Sequence, residues 1–432
     1  MINLRKAVLI KIKMNKNKKV KNILRILMVL SVICVSGLPA EGEEEQEEQK
    51  PFDVCVLPTR QDYKMDWWFA VPSRFVPKVS LASEIFQGEK FTLQIIFNGY
   101  SVESDEANIT FDVKVIKSDG TVDAYIEDCV GYKGKIPGKY LLPSQNSIYV
   151  CPDVDDPLGE YTAEVTAYDH IKNQTASKTA RFCVSEFKIP TMDSKDSKWF
   201  FNYPIDPKPA MAFASFIKCP KPYIDEKGKI LWSAIWFSKC VFEENEFLIP
   251  HLIDFFENQA SEQQKKNIIL LLFLIGKTES LPELADYLEE YKKTLKNIVI
   301  PDPYAEITTG NQEDMLWAEF FATSRIKPVK HLIAALNLSK HAEVLDKIKK
   351  KEITEINDEI REKAMLGAVF HAALWSLSSN CMNCDLLLQY CIGIYESGEL
   401  NETEKVYLGA ILKKVFKEKK EKESVNKPDT TK

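Results

Sequence analysis

The apolar residues of this chain change period once along its length, and that change limits the folds open to it. Over residues 53–187 they recur at every second position, as in strands that bury one face. Phe91, Leu93, Ile95 and Phe97 share one face, and Ile109, Phe111, Val113 and Val115 share another. Lys117-Ser-Asp-Gly-Thr121 then supplies an Asp-Gly turn into Val122, Ala124 and Ile126, which is a hairpin signature. From about Lys208 the spacing becomes three and four, and turn-rich breaks separate about ten candidate helices. The expectation is an α+β chain of two domains: a β-sandwich over 53–187, a linker over 188–209, and an all-α helical superhelix over 210–417.

The ends carry different information. The first 37 residues hold nine basic and no acidic residues and close on an apolar run and Val35-Ser-Gly37, the layout of a cleaved signal peptide. Residues 38–52 are a Glu-rich solvated spacer, and 418–432 a charged tail with nothing to bury. The expected location is therefore extracytoplasmic, periplasmic or secreted, with an uncleaved N-terminal anchor as the alternative and the only membrane attachment expected. Without the leader the net charge falls from −6 to −15, with 48 basic against 63 acidic residues. Nucleic-acid binding rests on clustered Lys and Arg that release counterions, so that class is set aside.

Two resemblances follow from particular stretches. Pro157-Leu-Gly-Glu-Tyr161, leading into a strand, resembles the penultimate-strand region of immunoglobulin-like domains. Asp314-Met-Leu-Trp-Ala-Glu-Phe-Phe-Ala-Thr323 with Pro328-Val329, and later Ala372-Ala-Leu-Trp-Ser-Leu-Ser-Ser-Asn380, resemble the two signature stretches of a helical domain in uncharacterised exported bacterial proteins. That group usually has glycine after the first stretch, where this chain has Ser324. The resemblance implies a fold and a compartment, and no activity.

Export makes disulfides the expected fate of cysteine. In the β region Cys55 lies between Val54 and Val56, and Cys183 between Phe182 and Val184, so both sulfurs should point away from the core; the candidate pairs are Cys55 with Cys183 and Cys129 with Cys151. In the helical region Cys381 and Cys384 form a Cys-x-x-Cys placed at an expected helix start, where the helix dipole favours a thiolate. A structural bridge is weighed there against zinc, which lacks a histidine in the stretch, and against redox exchange, which lacks the preceding strand. Trp67 and Trp68 are candidate interaction aromatics. The carboxylates of residues 153–160 lack regular calcium-loop spacing. No nucleophile-elbow or phosphate-loop motif is written, so no catalytic residue, metal ligand or cofactor is assigned.

The function expected is a non-catalytic binding or envelope-assembly protein whose partner is a protein or polymer of the cell envelope. Two alternatives stand beside it: an envelope polymer hydrolase using carboxylates scattered in sequence, and thiol–disulfide exchange through Cys381 and Cys384.

Overall fold

The computed structural model describes residues 51–61, 65–136, 141–192, 198–219, 222–224, 229–278, 295 and 297–425. The leader, nearly all of the acidic spacer, the stretch Ser280-Leu-Pro-Glu283, whose cap oxygen and carboxylate three residues on predict a helix start, and the tail beyond Val425 lie outside the described residues.

Among the described residues nine strands occupy the first half: β1 (Asp53–Thr59), β2 (Glu84–Phe86), β3 (Phe91–Asn98), β4 (Glu106–Ile116), β5 (Val122–Lys135), β6 (Leu142–Pro143), β7 (Ile148–Val150), β8 (Gly159–Asp169) and β9 (Gln174–Ser185). One sheet runs β1-β3-β6, with β7 also paired to β3; the other runs β2-β9-β8-β4-β5. All the pairings are antiparallel except that of β2 with β9. Alternation decides what is buried: Ala107, Ile109, Phe111, Val113 and Val115 of β4 meet Tyr161, Ala163, Val165 and Ala167 of β8 in one apolar cluster that also takes Val54, Val56, Leu93 and Phe97 from the other sheet. The hairpin forms at the expected turn, where Gly120 takes φ +86° and Asp119 Oδ1 accepts from Thr121 N (2.9 Å).

The second half is helical. Short helices α1 (Met65–Ala70) and α2 (Lys198–Asn202) precede α3 (Pro209–Ile217), α4 (Trp232–Glu244), α5 (Leu248–Asn258) and α6 (Glu262–Leu274). Then come α7 (Gly310–Thr323), α8 (Ile326–Ala334), a 3-10 turn (Ala335–His341), α9 (Ala342–Lys349), α10 (Asp358–Asn383), α11 (Asp385–Glu396) and α12 (Glu402–Val425). The chain is thus mixed α and β with a helical C-terminal region. Ser261 and Gln264 cap the start of α6 reciprocally, and Asn401 and Glu404 exchange backbone bonds at the start of α12 (3.0 and 3.1 Å). Ile268, Ile269, Leu270, Leu271 and Leu272 of α6 are buried in the helical core.

Two features of α10 depart from its sequence pattern. Leu366, Phe370, Ala373 and Leu377 form its packed side, but Trp375, which with Gly367 and His371 makes the helix apolar nearly all round and predicts burial on every side, is 70% exposed. The helix also runs past Ser378-Ser-Asn380 to Asn383, because Cys381 continues the buried row Phe370, Ala373, Leu377 by one more turn. Asn383 Nδ2 donates to Ser379 O (2.8 Å), which satisfies a carbonyl of that last turn.

β-strands and helices belong to one unit spanning residues 50–432. The chain between β1 and β2 leaves the first core for the second: Trp68 and Val71 pack among helical residues. Among the described residues no helix is long and apolar enough to cross a membrane.

Candidate functional site

The cysteines are placed by strand register and helix ends. Cys55 opposes Ile96 in one sheet, while Cys183 stands between Glu84 and Glu160 in the other, so neither is the other's cross-strand neighbour. Cys129 opposes Phe111, and Cys151 follows β7 in the opposite sheet with its Sγ toward Gly88 O (3.5 Å). All nine cysteines of the described residues carry free thiols, so the structure contains neither of these two bridges nor a Cys381–Cys384 bridge.

At the helical site the geometry differs from the one expected. Cys381 lies in the last turn of α10, where the dipole disfavours a thiolate, and Cys384 is the extended residue (φ −126°, ψ 108°) that separates α10 from α11. The Cys381 sulfur meets that of Cys391, two turns into α11, at 3.6 Å. All three residues are buried. The bond to Cys391 and burial push the Cys381 thiol well above its ordinary value, and Lys419 opposes this only weakly. Burial pushes the Cys384 thiol up to about 11, although the backbone N–H groups of Leu387 and Leu386 pull the other way. A soluble disulfide therefore meets covered sulfurs here, with the Cys381 and Cys384 thiols raised, the opposite of what an exchange centre needs. Among the described residues no three His, Cys, Asp or Glu side chains are grouped to hold a metal ion.

This junction receives a strap from the β region. Ala70 O approaches Gly393 of α11 so closely that a Cβ at 393 would stand 2.1 Å from it. Arg74 forks onto Glu396 (2.6 and 2.9 Å), and Asp385 accepts from both Lys78 and Lys419 (3.0 Å each), which holds its carboxyl below the usual range. Trp68 is 1% exposed and donates from Nε1 to Leu141 O (3.1 Å), so it is an anchor of the strap and not an exposed platform. The side chain of Trp67 lies outside the described residues.

Two further joints fix the same arrangement. Phe187 stacks on His251 at 4.3 Å and meets Phe86, Phe213 and Phe247 edge to face, and burial holds the His251 imidazole below its ordinary value. Pro204 O accepts from Gln61 Nε2 and from the Ser324 hydroxyl (2.5 Å each), while Tyr390 donates to Ser324 O (2.9 Å). Ser324 holds φ +60°, the left-handed cap that a glycine takes without strain.

Sequence reasoning missed two features. The first is the open half of β5. Its second half is covered, with Gln145 N donating to Gly131 O (2.7 Å) and Tyr132 buried. The first half is the outermost part of its sheet, and it leaves Val122 (53%), Tyr125 (56%) and Ile126 (44%) exposed, with Val130 (37%) exposed just beyond it. Ile126 opposes the buried Val113, so its exposure follows from its edge position; period alone does not report which strand is outermost. Three register irregularities bend this edge, and Asp128 sits there at φ +53°.

The second is Glu313 in the first turn of α7. It is 4% exposed, its Oε1 has no hydrogen-bond partner among the described residues, and burial, aided by Asp314, raises its carboxyl to about 8. By contrast Asp156, within the acidic turn 153–160, is committed to Lys117 (2.5 Å).

No protein-family model matches the chain, and no curated protein matches it. Among solved structures, the sporulation control protein of Bacillus subtilis aligns with 32% of the chain and 51% of its own at 14% identity and a TM-score of 0.19. A family 123 glycoside hydrolase from Clostridium perfringens aligns with 47% of the chain and 36% of its own at 11% identity and 0.23. The trypsin-activated alpha-2-macroglobulin of Escherichia coli aligns with 79% and 27% at 11% identity and 0.15. The chain thus spans about half of the first protein and smaller parts of the others, and at such scores the likeness defines neither fold nor activity.

Proposed function

We propose that this chain is an exported, non-catalytic binding protein of the cell envelope, and that it holds a protein or polymer partner along the open half of β5. The observation that carries the reading is the set of exposed apolar and aromatic residues Val122, Tyr125, Ile126 and Val130, spread over both faces of an edge strand: such side chains along an outer strand edge suit an added strand or an extended polymer. In this reading the β region is a sandwich of immunoglobulin type. The parallel contact of β2 with β9 and the Tyr161 hydroxyl donating to Pro157 O (3.0 Å), as in a tyrosine corner, support it. The helical region is a superhelix akin to that of the exported bacterial proteins whose signature stretches the chain resembles, and the leader delivers the whole across the membrane. The strap, the aromatic seam and the Ser324 joint then serve to hold the sheet against a fixed support.

The test is retention of a detergent-solubilised envelope fraction on immobilised full chain, compared with the Tyr125→Arg, Ile126→Asp double variant. A component held by the wild type and released by the folded variant supports the reading; equal retention by both opposes it.

Glu313 favours a second reading, the hydrolase, because a carboxyl raised by burial is what a general acid requires. Turnover of an envelope polymer that disappears in Glu313→Gln would establish it. Its burial among helices speaks for a structural role instead.

A further inference from the structure

Cys381 and Cys391 sit on two helices that meet at Cys384. Their sulfurs are 3.6 Å apart, within van der Waals contact, and neither residue is exposed to solvent. A disulfide needs about 2.05 Å between sulfurs, so ~1.5 Å must close, a distance that small χ1 rotations of two facing side chains supply. The surroundings are apolar: Leu377, one turn before Cys381 on α10, and Leu387 and Leu388, one turn before Cys391 on α11, are buried in the same core. Replacing two thiols by a disulfide leaves no polar group stranded there. Cys384 is in a different position. It is the residue at which the chain leaves one helix for the next, and its N–H is already committed to Asn380 O (2.8 Å).

We propose that Cys381 and Cys391 form a structural disulfide that ties the end of α10 to α11, while Cys384 remains a thiol. The bond lies beneath the strap, since Asp385, Gly393 and Glu396 on the same helix receive Lys78, Ala70 and Arg74. This rests on the export reading for its oxidant, a small-molecule or protein disulfide met before the helices close. One cysteine thiolate attacks that disulfide, forming a mixed disulfide and releasing one donor thiol. The second cysteine thiolate then attacks the mixed disulfide, forming the Cys381–Cys391 bond and releasing the second donor thiol. Two electrons pass from the cysteines to the donor, and their two protons end on its sulfurs.

The experiment uses the full chain, unfolded and refolded in a buffer of reduced and oxidised glutathione, with free thiols then alkylated. No Lys or Arg lies between Cys381 and Cys391, so trypsin leaves all three cysteines in one peptide; cleavage before Asp385 separates Cys381 and Cys384 from Cys391. The expected result is two fragments linked through sulfur, with Cys384 alkylated, unchanged in the Cys384→Ser variant. A Cys381–Cys384 or Cys384–Cys391 link, or three alkylated cysteines, overturns the proposal. A second arm traps thiols in cells that make the chain with its leader. Cysteines found reduced there but bonded in the glutathione buffer support the pair and overturn the export reading, so the two failures are distinguishable.

Discussion

Replacing Glu313 by Gln should change how the stability of this chain depends on pH. The carboxyl is raised from 4.5 to about 8 by burial, so the folded state keeps its proton where the unfolded state has released it. Stability from this group is fully present below pH 4.5, falls as pH rises through the interval to about 8, and is constant above that. Each unit costs about 1.4 kcal/mol, so the wild type should lose roughly 3 kcal/mol between pH 5 and pH 7.5 that the Gln variant keeps. Urea unfolding of both chains at half-unit steps measures this, and subtracting one curve from the other removes the titration of every other group. The variant should match the wild type near pH 5 and exceed it by about 3 kcal/mol at pH 7.5. Parallel curves across that range would refute the reasoning, because they would mean that Glu313 is ionised and solvated in the folded chain.

Other substitutions probe the joints. Gly393→Ala places a methyl against the Ala70 carbonyl, a backbone atom that cannot turn away, and should cost about 1–3 kcal/mol in the same urea assay while freeing the strap to proteolysis near Arg74. Trp68→Ala empties an anchor that is 1% exposed and should cost about 3–5 kcal/mol, whereas Arg74→Ala, which breaks an exposed ion pair, should cost less than about 1. Ser324→Gly should be near neutral, since the relief of a left-handed serine offsets the lost bond to Pro204, but Ser324→Val should cost roughly 2 kcal/mol because a β-branched residue resists that conformation.

What the sequence made legible is what local physics decides. Alternation placed Ile109, Phe111, Val113 and Val115 inward, and the Asp119-Gly120 turn fixed the hairpin. What it hid depends on partners distant in the chain. Trp68 is buried because a segment between two strands enters the helical core, and no period within that segment signals it. Trp375 has the apolar neighbours of an interior residue yet faces solvent, because nothing in the sequence says which side of a nearly all-apolar helix is left uncovered. Ser378, Ser379 and Asn380 have the low helix propensity of a break, which would make Cys381 a helix start. The buried row running on to Cys381 outweighs their low helix propensity and shifts its sulfur partner from Cys384 to Cys391.

Amide hydrogen exchange with and without the retained envelope component locates the surface that holds it. If that surface is the open half of β5, exchange slows over Val122–Lys135, mostly between Val122 and Val130, and does not slow in the Tyr125→Arg, Ile126→Asp variant. Slowed exchange confined to the helices, with β5 unchanged while the component is bound, would contradict it.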